Sequence, residues 1–316
     1  MKILITGGCG FLGSNMVKKI FNETSDKIVV VDNLSTGFKS NIEPLLCERV
    51  EFYELDICNS DIINCIKDWE IDYIYNFACP ASPKYYLKHP IETWESSVFG
   101  IKNLLDAIKG TNIKLFHSST SEVYGDAQTI PQNEEYWGNV NPIGVRACYD
   151  EGKRAAEALI YDYIREYNID VRVARLFNTY GPNMSIEDGR IISNFVTQAL
   201  TGKNITVHGN GMQTRSFCYV DDTINAIYKL MHLEKNPKKP VNIGNPQEKT
   251  VKEVALYVKD VLKSNSEIVY CEKMSDDPQK RRPNIERAKQ LLDWEPMISY
   301  DAGMKKTIIY FSDKLK

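Results

Sequence analysis

Residues 1–180 alternate short apolar runs with longer stretches in which apolar residues recur at helical spacing. Such runs are typical of buried strands, and the stretches between them are typical of helices that cover a sheet. This alternation predicts the α/β class, with a doubly wound parallel sheet and helices on both faces. The predicted strands are residues 2–6, 28–31, 50–54, 73–77, 114–118 and 171–175.

Beyond Gly181-Pro182 the alternation breaks down, and glycines separate shorter elements. A return strand is predicted at residues 241–243 and a helix at residues 251–262. We therefore predict a smaller C-terminal lobe over the carboxyl edge of the sheet. The division places residues 1–178 and 217–243 in the sheet domain and residues 179–216 and 244–316 in the lobe, which binds substrate.

Composition excludes several classes of function. The chain has 316 residues, 43% hydrophobic and 26% charged, with a formal net charge of -3. This charge argues against a nucleic-acid partner or a membrane-surface role, and no signal peptide or membrane anchor is predicted. The eight cysteines are scattered without a Cys-x-x-Cys pair. They predict free thiols in a reducing cytoplasm and no metal site.

A glycine-rich turn follows the first strand. Gly8, Gly10 and Gly13 satisfy G-x-G-x-x-G, and Gly7 provides a second spaced pattern with Gly10 and Gly13. Glycines are required where backbone must approach a pyrophosphate at a helix N-terminus. Asp32 ends the second strand about twenty residues on, where an acid binds the ribose hydroxyls and favours NAD over NADP. The alternative for Asp32 is an ordinary loop cap.

Polar residues cluster where the predicted strands end, and ligands of parallel sheets lie beyond those carboxyl ends. The segments concerned are Asp56-Ile57, Ala78-Cys79-Pro80, Ser119-Thr120-Ser121-Glu122 and Asn178.

Tyr149 and Lys153 stand one turn apart at the start of a predicted helix. A nearby cation favours the phenolate and lowers the pKa of a phenol, so Tyr149 would take and return a proton. A solvated or core-lining pair is the alternative when these two residues are considered alone.

Longer motifs extend over nearly the whole chain. They are Ala78-Cys79-Pro80-Ala81-Ser82-Pro83, Ser119-Thr120-Ser121-Glu122-Val123-Tyr124-Gly125, Asn141-Pro142-Ile143-Gly144, Arg146-Ala147-Cys148-Tyr149-Asp150-Glu151-Gly152-Lys153, Asn178-Thr179-Tyr180-Gly181-Pro182, Asp276-Asp277-Pro278-Gln279-Lys280-Arg281 and Trp294-Glu295-Pro296. These motifs are similar to those of the extended short-chain dehydrogenase/reductases that act on nucleotide sugars, and most similar to those of the UDP-glucuronate decarboxylases.

The resemblance implies conversion of UDP-glucuronate to UDP-xylose and CO2 through a transient 4-keto sugar, with bound NAD oxidising C4 and then reducing it. It implies catalytic roles for Thr120, Glu122, Tyr149, Lys153 and Arg281, and a homodimer. The implied substrate contacts are Asn178, Arg190, Arg215 and Arg281. The implied NAD contacts are Gly7, Gly10, Phe11, Leu12, Gly13, Asp32, Asn33, Thr36, Gly37, Asp56, Ile57, Ala78, Tyr149 and Lys153.

The triplet Thr120-Ser121-Glu122 separates related activities. Nucleotide-sugar 4,6-dehydratases have Thr-Asp-Glu, whose Asp protonates the leaving hydroxyl, and a serine is a poor general acid at neutral pH. A 4,6-dehydratase or 4-epimerase remains an alternative, as does a non-catalytic NAD or nucleotide-sugar sensor.

Three further features bear on substrate and assembly. Glu95-Ser96 stands where many decarboxylases of this type have Lys-Thr, and His208 where relatives often have an aromatic residue. A carboxylate facing an anionic substrate is expected to weaken binding. The apolar side chains of Leu159, Ile160 and Tyr163 either form part of a dimer interface or pack on the sheet.

Overall fold

The computed structural model describes residues 1–272 and 280–316. Its strands, in chain order, are β1 (Lys2–Thr6), β2 (Lys27–Asp32), β3 (Val50–Glu54), β4 (Tyr73–Asn76), β5 (Lys114–Thr120), β6 (Asp170–Leu176), β7 (Thr179–Tyr180), β8 (Ile205–His208), β9 (Thr214–Ser216), β10 (Cys218–Tyr219), β11 (Val241–Ile243), β12 (Glu248–Thr250), β13 (Ile268–Cys271) and β14 (Lys280–Arg281).

The α-helices of the same residues are α1 (Phe11–Glu23), α2 (Asp61–Asp68), α3 (Pro83–Tyr86), α4 (Pro90–Glu95), α5 (Ile101–Ile108), α6 (Ala147–Tyr167), α7 (Ile191–Leu200), α8 (Val220–His232), α9 (Val251–Val261), α10 (Glu286–Leu292) and α11 (Tyr300–Lys314). A π-helical turn, Ser96–Gly100, joins α4 to α5, and 3-10 turns occur at Lys39–Asn41, Glu43–Leu45 and Ser121–Tyr124.

Seven parallel strands form the central sheet in the order β11-β6-β5-β4-β1-β2-β3. The predicted doubly wound α/β fold is therefore confirmed, including the return strand β11. Strand order reverses at β1, which lies between β2 and β4. Open α/β sheets bind ligands at such a reversal, beyond the carboxyl ends of the strands.

The sheet is apolar on both faces because helices cover both. Alternate residues of β1 enter different cores: Ile3 and Ile5 pack with the apolar side of α1, whereas Leu4 packs with α5 and α6. Near-continuous apolar strands are expected for a parallel sheet buried on both sides.

The side chain of Ile160 is fully buried in the core that contains Leu4, and Leu159 and Tyr163 pack against that core. Packing on the sheet is therefore observed for Ile160, whereas Leu159 and Tyr163 are only partly buried and their place in a dimer interface stays a prediction.

Shorter strands form three small sheets from the later part of the chain: β7 with β10, β8 with β13, and β9 between β12 and β14. Residues of β8, β9 and β14 line the same cavity as the carboxyl ends of the central strands. Within the described residues, no helix is long and apolar enough to cross a membrane.

Candidate active site

The glycine turn between β1 and α1 has almost no space for side chains. Gly7 has φ +68°, and a Cβ there would lie 2.6 Å from the backbone nitrogen of Ala78. A Cβ on Gly13 would overlap the carbonyl oxygen of Gly7. The turn thus exposes backbone and the N-terminus of α1 toward the cavity, as pyrophosphate binding requires.

Asp32 at the end of β2 is fixed by backbone. Its two carboxylate oxygens accept hydrogen bonds from the amide nitrogens of Cys9 (2.9 Å) and Leu34 (2.8 Å). Burial raises the pKa of Asp32 above its ordinary value, and these hydrogen bonds oppose the rise. An acid held at the glycine turn suits a ribose diol and repels a 2′-phosphate.

All but one of the predicted cofactor residues line a cavity of about 620 Å³. The exception is Gly37, which lies behind Asp32: a Cβ there would be 2.9 Å from the Asp32 carboxylate and 3.0 Å from the backbone of Cys9. Gly37 allows close packing behind the acid, and its direct contact with the cofactor stays a prediction. Asn33 donates a hydrogen bond to Asp56, joining the loops after β2 and β3.

Tyr149 lies near the start of α6, in a buried environment. Its ring stacks on Tyr86, with ring centres 5.2 Å apart and planes 3° apart. Burial raises the pKa of Tyr149 far above its ordinary value, and a hydrogen bond with Thr120 opposes the rise. The structure therefore favours the neutral phenol.

Lys153 does not have the predicted effect on Tyr149 in this structure. Its ammonium donates to the carbonyl oxygen of Ser118 at 2.9 Å and lies 6.0 Å from the centre of the Tyr149 ring. The net shift of the Tyr149 pKa is upward, because burial, followed by the charge of Cys79, outweighs the hydrogen bond with Thr120. The expected lowering is thus wrong for this geometry, although the two side chains do lie on one face of α6.

Glu122 is held between two buried guanidinium groups. Arg281 contacts both of its carboxylate oxygens, at 2.7 and 3.0 Å, and Arg146 donates to one of them at 2.7 Å. All three side chains line the cavity beside Thr120, Ser121 and Tyr149. Paired guanidiniums favour the ionised carboxylate, so the cluster carries a net positive charge.

The four predicted substrate residues also line the cavity. Asn178 accepts a 3.4 Å hydrogen bond from Arg281, and Arg190 is bound by Asp188 at 2.5 and 2.7 Å. Arg215 on β9 is 2% exposed and lies opposite Arg281 in the pairing of β9 with β14. Of the motif that ends at Arg281, residues Asp276, Asp277, Pro278 and Gln279 lie outside the described residues.

The two departures from the expected pattern are Glu95-Ser96 and His208, and not all of these residues line the cavity. Ser96 and His208 line the cavity, whereas Glu95 does not. A carboxylate at position 95 therefore does not face the cavity, and the expected weakening of anion binding has no structural basis.

Three cavity or near-cavity residues were not predicted as site residues: Arg146, Asp150 and Tyr86. Arg146 and Asp150 stand seven and three positions before Lys153 within one motif, or about two helical turns and one, and this spacing is a usable signal. Tyr86 gives no sequence signal, because only the fold brings α3 against α6.

The residues present fit a dinucleotide. The turn that excludes side chains, the fixed Asp32 and the cavity above the strand-order reversal are the features that NAD binding needs. Among the described residues, no cluster of histidine, cysteine and carboxylate side chains could hold a metal ion.

Comparison with known proteins gives matches over the whole chain. The family model described as GDP-mannose 4,6 dehydratase matches residues 4–307. The chain is 46% identical to UDP-glucuronic acid decarboxylase 1 of Danio rerio over 315 residues, covering 100% of this chain and 73% of that protein. It is 47% identical to UDP-glucuronic acid decarboxylase 3 of Arabidopsis thaliana over 305 residues, covering 96% and 87%.

Solved structures of nucleotide-sugar enzymes match the fold over nearly the whole chain. The UDP-glucose 4-epimerase of Thermotoga maritima, solved with UDP-glucose, has a TM-score of 0.91 at 29% identity and covers 100% of both chains. The dTDP-glucose 4,6-dehydratase of Bacillus anthracis, solved with NAD, has a TM-score of 0.88 at 29% identity, covering 99% of this chain and 97% of that one. The UDP-glucuronic acid 4-epimerase of Bacillus cereus, solved with UDP-glucuronic acid and NAD, has a TM-score of 0.89 at 25% identity and covers 100% of both.

Proposed function

The chain belongs to the UDP-glucuronic acid decarboxylases, within the wider family of GDP-mannose 4,6 dehydratase type, and from that premise we propose how its site works. It is an NAD-dependent enzyme that converts UDP-glucuronate to UDP-xylose and CO2. The observation that carries this function is the buried Arg281, which brings a cation to the cavity wall beside Thr120 and Tyr149.

Held by the glycine turn and Asp32, NAD would supply the hydride acceptor for C4 of the sugar and the hydride donor for its later reduction. The ketone formed at C4 makes the sugar a β-keto acid, so loss of CO2 leaves an enolate instead of a bare carbanion. Tyr149 acts in its phenolate form: it takes the proton of the C4 hydroxyl and later returns it, and Thr120 donates a hydrogen bond to the oxygen that develops negative charge. The Lys153 ammonium lies 6.0 Å from the centre of the Tyr149 ring, where its charge favours the phenolate, and it would bind the nicotinamide ribose.

Arg281 is the group that suits an acidic sugar. Two of its nitrogens bind Glu122, while its buried Nε has no hydrogen-bond partner among the described residues. A buried donor without a partner is costly, and a substrate oxygen would satisfy it. Asn178 beside Arg281 provides a further polar contact for the sugar.

The nucleotide diphosphate is bound by Arg190 and Arg215. Both line the cavity, and planar guanidinium groups bind phosphate oxygens in pairs. We assign residues 1–178 and 217–243 to NAD binding and residues 179–216 and 244–316 to nucleotide-sugar binding. This division agrees with the cavity being lined from both the central sheet and the later strands.

Ser121 argues against the 4,6-dehydratase alternative. It is buried between Thr120 and Glu122 in the 3-10 turn after β5, where a dehydratase would place its general acid. A hydroxyl does not protonate a leaving group efficiently at neutral pH. The intact set of Thr120, Tyr149 and Lys153 argues against a sensor, which needs a pocket but no proton transfer.

We also propose that the enzyme is a cytoplasmic homodimer. All eight cysteines are free, as suits a reducing compartment. Trp94 and Phe99 form an exposed aromatic pair, 39% and 49% exposed with ring centres 5.7 Å apart, on the segment that packs against α6. Exposed aromatic pairs on a helical surface favour a contact with a second copy.

The test is to incubate purified enzyme with UDP-glucuronate and NAD and to follow the sugar by NMR. UDP-xylose and CO2 in equal amounts are expected. Unchanged UDP-glucuronate would remove the proposal, and accumulation of a 4-keto pentose with reduced NAD would show that the return of the hydride fails. UDP-glucose is the parallel substrate, and its conversion to a 4-keto-6-deoxy sugar would instead show a dehydratase.

A further inference from the structure

Decarboxylation consumes one proton per turnover, because a C–COO⁻ bond at C5 is replaced by a C–H bond. Tyr149 does not supply that proton: the proton it takes from the C4 hydroxyl goes back to the same oxygen when C4 is reduced. If the function proposed above holds, the chain must therefore bring one further proton from solvent to C5 in every cycle.

Glu122 is badly suited to hold this proton. Both of its oxygens accept charge-assisted hydrogen bonds from guanidinium groups, at 2.7 to 3.0 Å. Such bonds stabilise the carboxylate and disfavour its protonated form. Glu122 can orient a water molecule beside C5, but the proton has to originate elsewhere.

Asp150 lies one helical turn beyond Arg146, the residue that also binds Glu122. Its side chain is 9% exposed, and its Oδ2 is 3.8 Å from the Nε of Arg146. Its other oxygen, Oδ1, is buried and has no hydrogen-bond partner among the described residues. A buried carboxyl oxygen without a donor is unfavourable when charged and tolerable when protonated.

Asp150 lines a second cavity. It has a volume of about 190 Å³, enough for several water molecules. Arg146 lines both this cavity and the main one and so forms part of the wall between them. Among the described residues, the rest of its lining consists of Gly125, Asp126, Asn139, Val140 and Asn141.

We propose that Asp150 is a positioning residue for the C5 proton, taking it from water in the second cavity and passing it to the water that Glu122 orients. The oriented water protonates C5 of the enolate, and the hydroxide so formed recovers its proton from the Asp150 carboxyl. Asp150 then takes up a new proton from water in the second cavity. The charge on each group is restored, and the net input is one solvent proton.

The charges around Asp150 agree with this role. Burial, followed by the negative charge of Glu122, raises its pKa to about 8, although Arg146 and Arg281 act to lower it. Glu151, on the same helix, has a smaller raising effect, and Asp126 lies across the second cavity. The surroundings of Asp150 therefore favour its protonated form.

The experiment compares Asp150→Asn, Asp150→Glu and Glu151→Gln with the wild type in single turnovers of UDP-glucuronate. Absorbance of reduced nicotinamide reports two steps: its rise follows oxidation at C4, and its decay follows protonation at C5. Glu151→Gln is the matched control, because it removes a carboxylate of the same helix that pairs with Arg154 and lines neither cavity.

In Asp150→Asn we expect an unchanged rise, a decay slowed about tenfold to a hundredfold, and a larger share of released 4-keto pentose. The wild-type decay should slow above a pH of about 8, and the Asn variant should lose that dependence. Asp150→Glu should recover part of the rate. Glu151→Gln should match the wild-type rates at neutral pH, because Glu151 has the smallest effect of the groups that act on the Asp150 pKa.

If the absorbance of reduced nicotinamide in Asp150→Asn decays at the wild-type rate, the proposal is overturned. Equal slowing of rise and decay would also overturn it, because that result shows a structural role. If the wild type releases no CO2, the proposed function itself fails, whatever the variants do.

Discussion

Tyr149 must ionise during catalysis, although its buried surroundings disfavour the phenolate. It is buried and stacked on Tyr86, and its pKa is raised. Removing the hydroxyl in Tyr149→Phe should lower kcat by about a hundredfold or more, since proton transfer in catalysis accounts for factors of this size. NAD binding, measured by quenching of protein fluorescence, should be retained.

Tyr161→Phe is the control for that change, because it deletes the same hydroxyl from the same helix, away from the cavity. It should keep wild-type turnover. Full activity in Tyr149→Phe would exclude Tyr149 as the base.

The raised pKa of Asp150 also predicts how the free energy of unfolding depends on pH. Its pKa is raised from 3.8 to about 8 by burial, so the folded state binds more protons than the unfolded state between these values. The stabilising contribution of the protonated carboxyl is complete below a pH of about 4 and is lost as pH rises through about 8. Urea unfolding of wild type and Asp150→Asn across this range should show the variant gaining stability relative to the wild type as pH rises. A constant difference would mean that Asp150 has an ordinary pKa.

The turn between β1 and α1 depends on the absence of a side chain. A Cβ on Gly13 would meet the backbone of Gly7 and Gly8, which cannot move aside as a flexible side chain can. Gly13→Ala should therefore destabilise the fold by roughly 3 kcal/mol or more and abolish NAD binding. Thermal unfolding and fluorescence titration with NAD measure the two effects.

Gly202→Ala provides the comparison. Gly202 has φ +67°, and a Cβ added there would have no atom within 4 Å, so only backbone strain of about 1 to 2 kcal/mol is expected. Similar losses in the two variants would show that the clash at Gly13 is relieved by local movement.

Elements with strong local patterns are predictable from sequence, and those made by tertiary packing are not. The apolar runs of β1 and β3 match their predicted bounds, and the Gly181-Pro182 boundary marks where the sheet pattern ends. The short helix α3 and the π-helical turn Ser96–Gly100 carry no periodicity long enough to detect. They exist because they pack beside α6, and one of them places Tyr86 on Tyr149.

The same distinction holds for the site. Sequence motifs identify Glu122 and Arg281 separately, but their contact joins residues 159 positions apart and depends on the pairing of β14 with β9. Their partner Arg146 was within reach of sequence reasoning, since it opens the helix that carries Tyr149 and Lys153. The failed prediction for the Tyr149 pKa has a physical cause: spacing shows that a cation is near, but not how completely the phenol is desolvated.

At the scale of the whole molecule, the active-site helix α6 also faces the proposed dimer contact. It packs against α4 and the π-helical turn that together carry Trp94 and Phe99. On the side of the sheet, α6 is fixed by the core that contains Leu4 and Ile160. A second copy that covers the two aromatic rings would stabilise the segment that packs against α6 on its other side. Assembly and activity should consequently be linked.

Phe99→Glu tests this link by placing a charge in the apolar contact, where burial of an unpaired carboxylate is unfavourable. We expect the variant to sediment as a monomer at micromolar concentration while the wild type sediments as a dimer. Ile309→Glu on α11 introduces the same charge at another exposed apolar position, 62% exposed, and should remain dimeric. The monomer should turn over UDP-glucuronate more slowly, because α6 loses its outer support. A wild type that is monomeric by sedimentation would refute the dimer, and a fully active monomer would show that α6 needs only the sheet to keep Tyr149 in place.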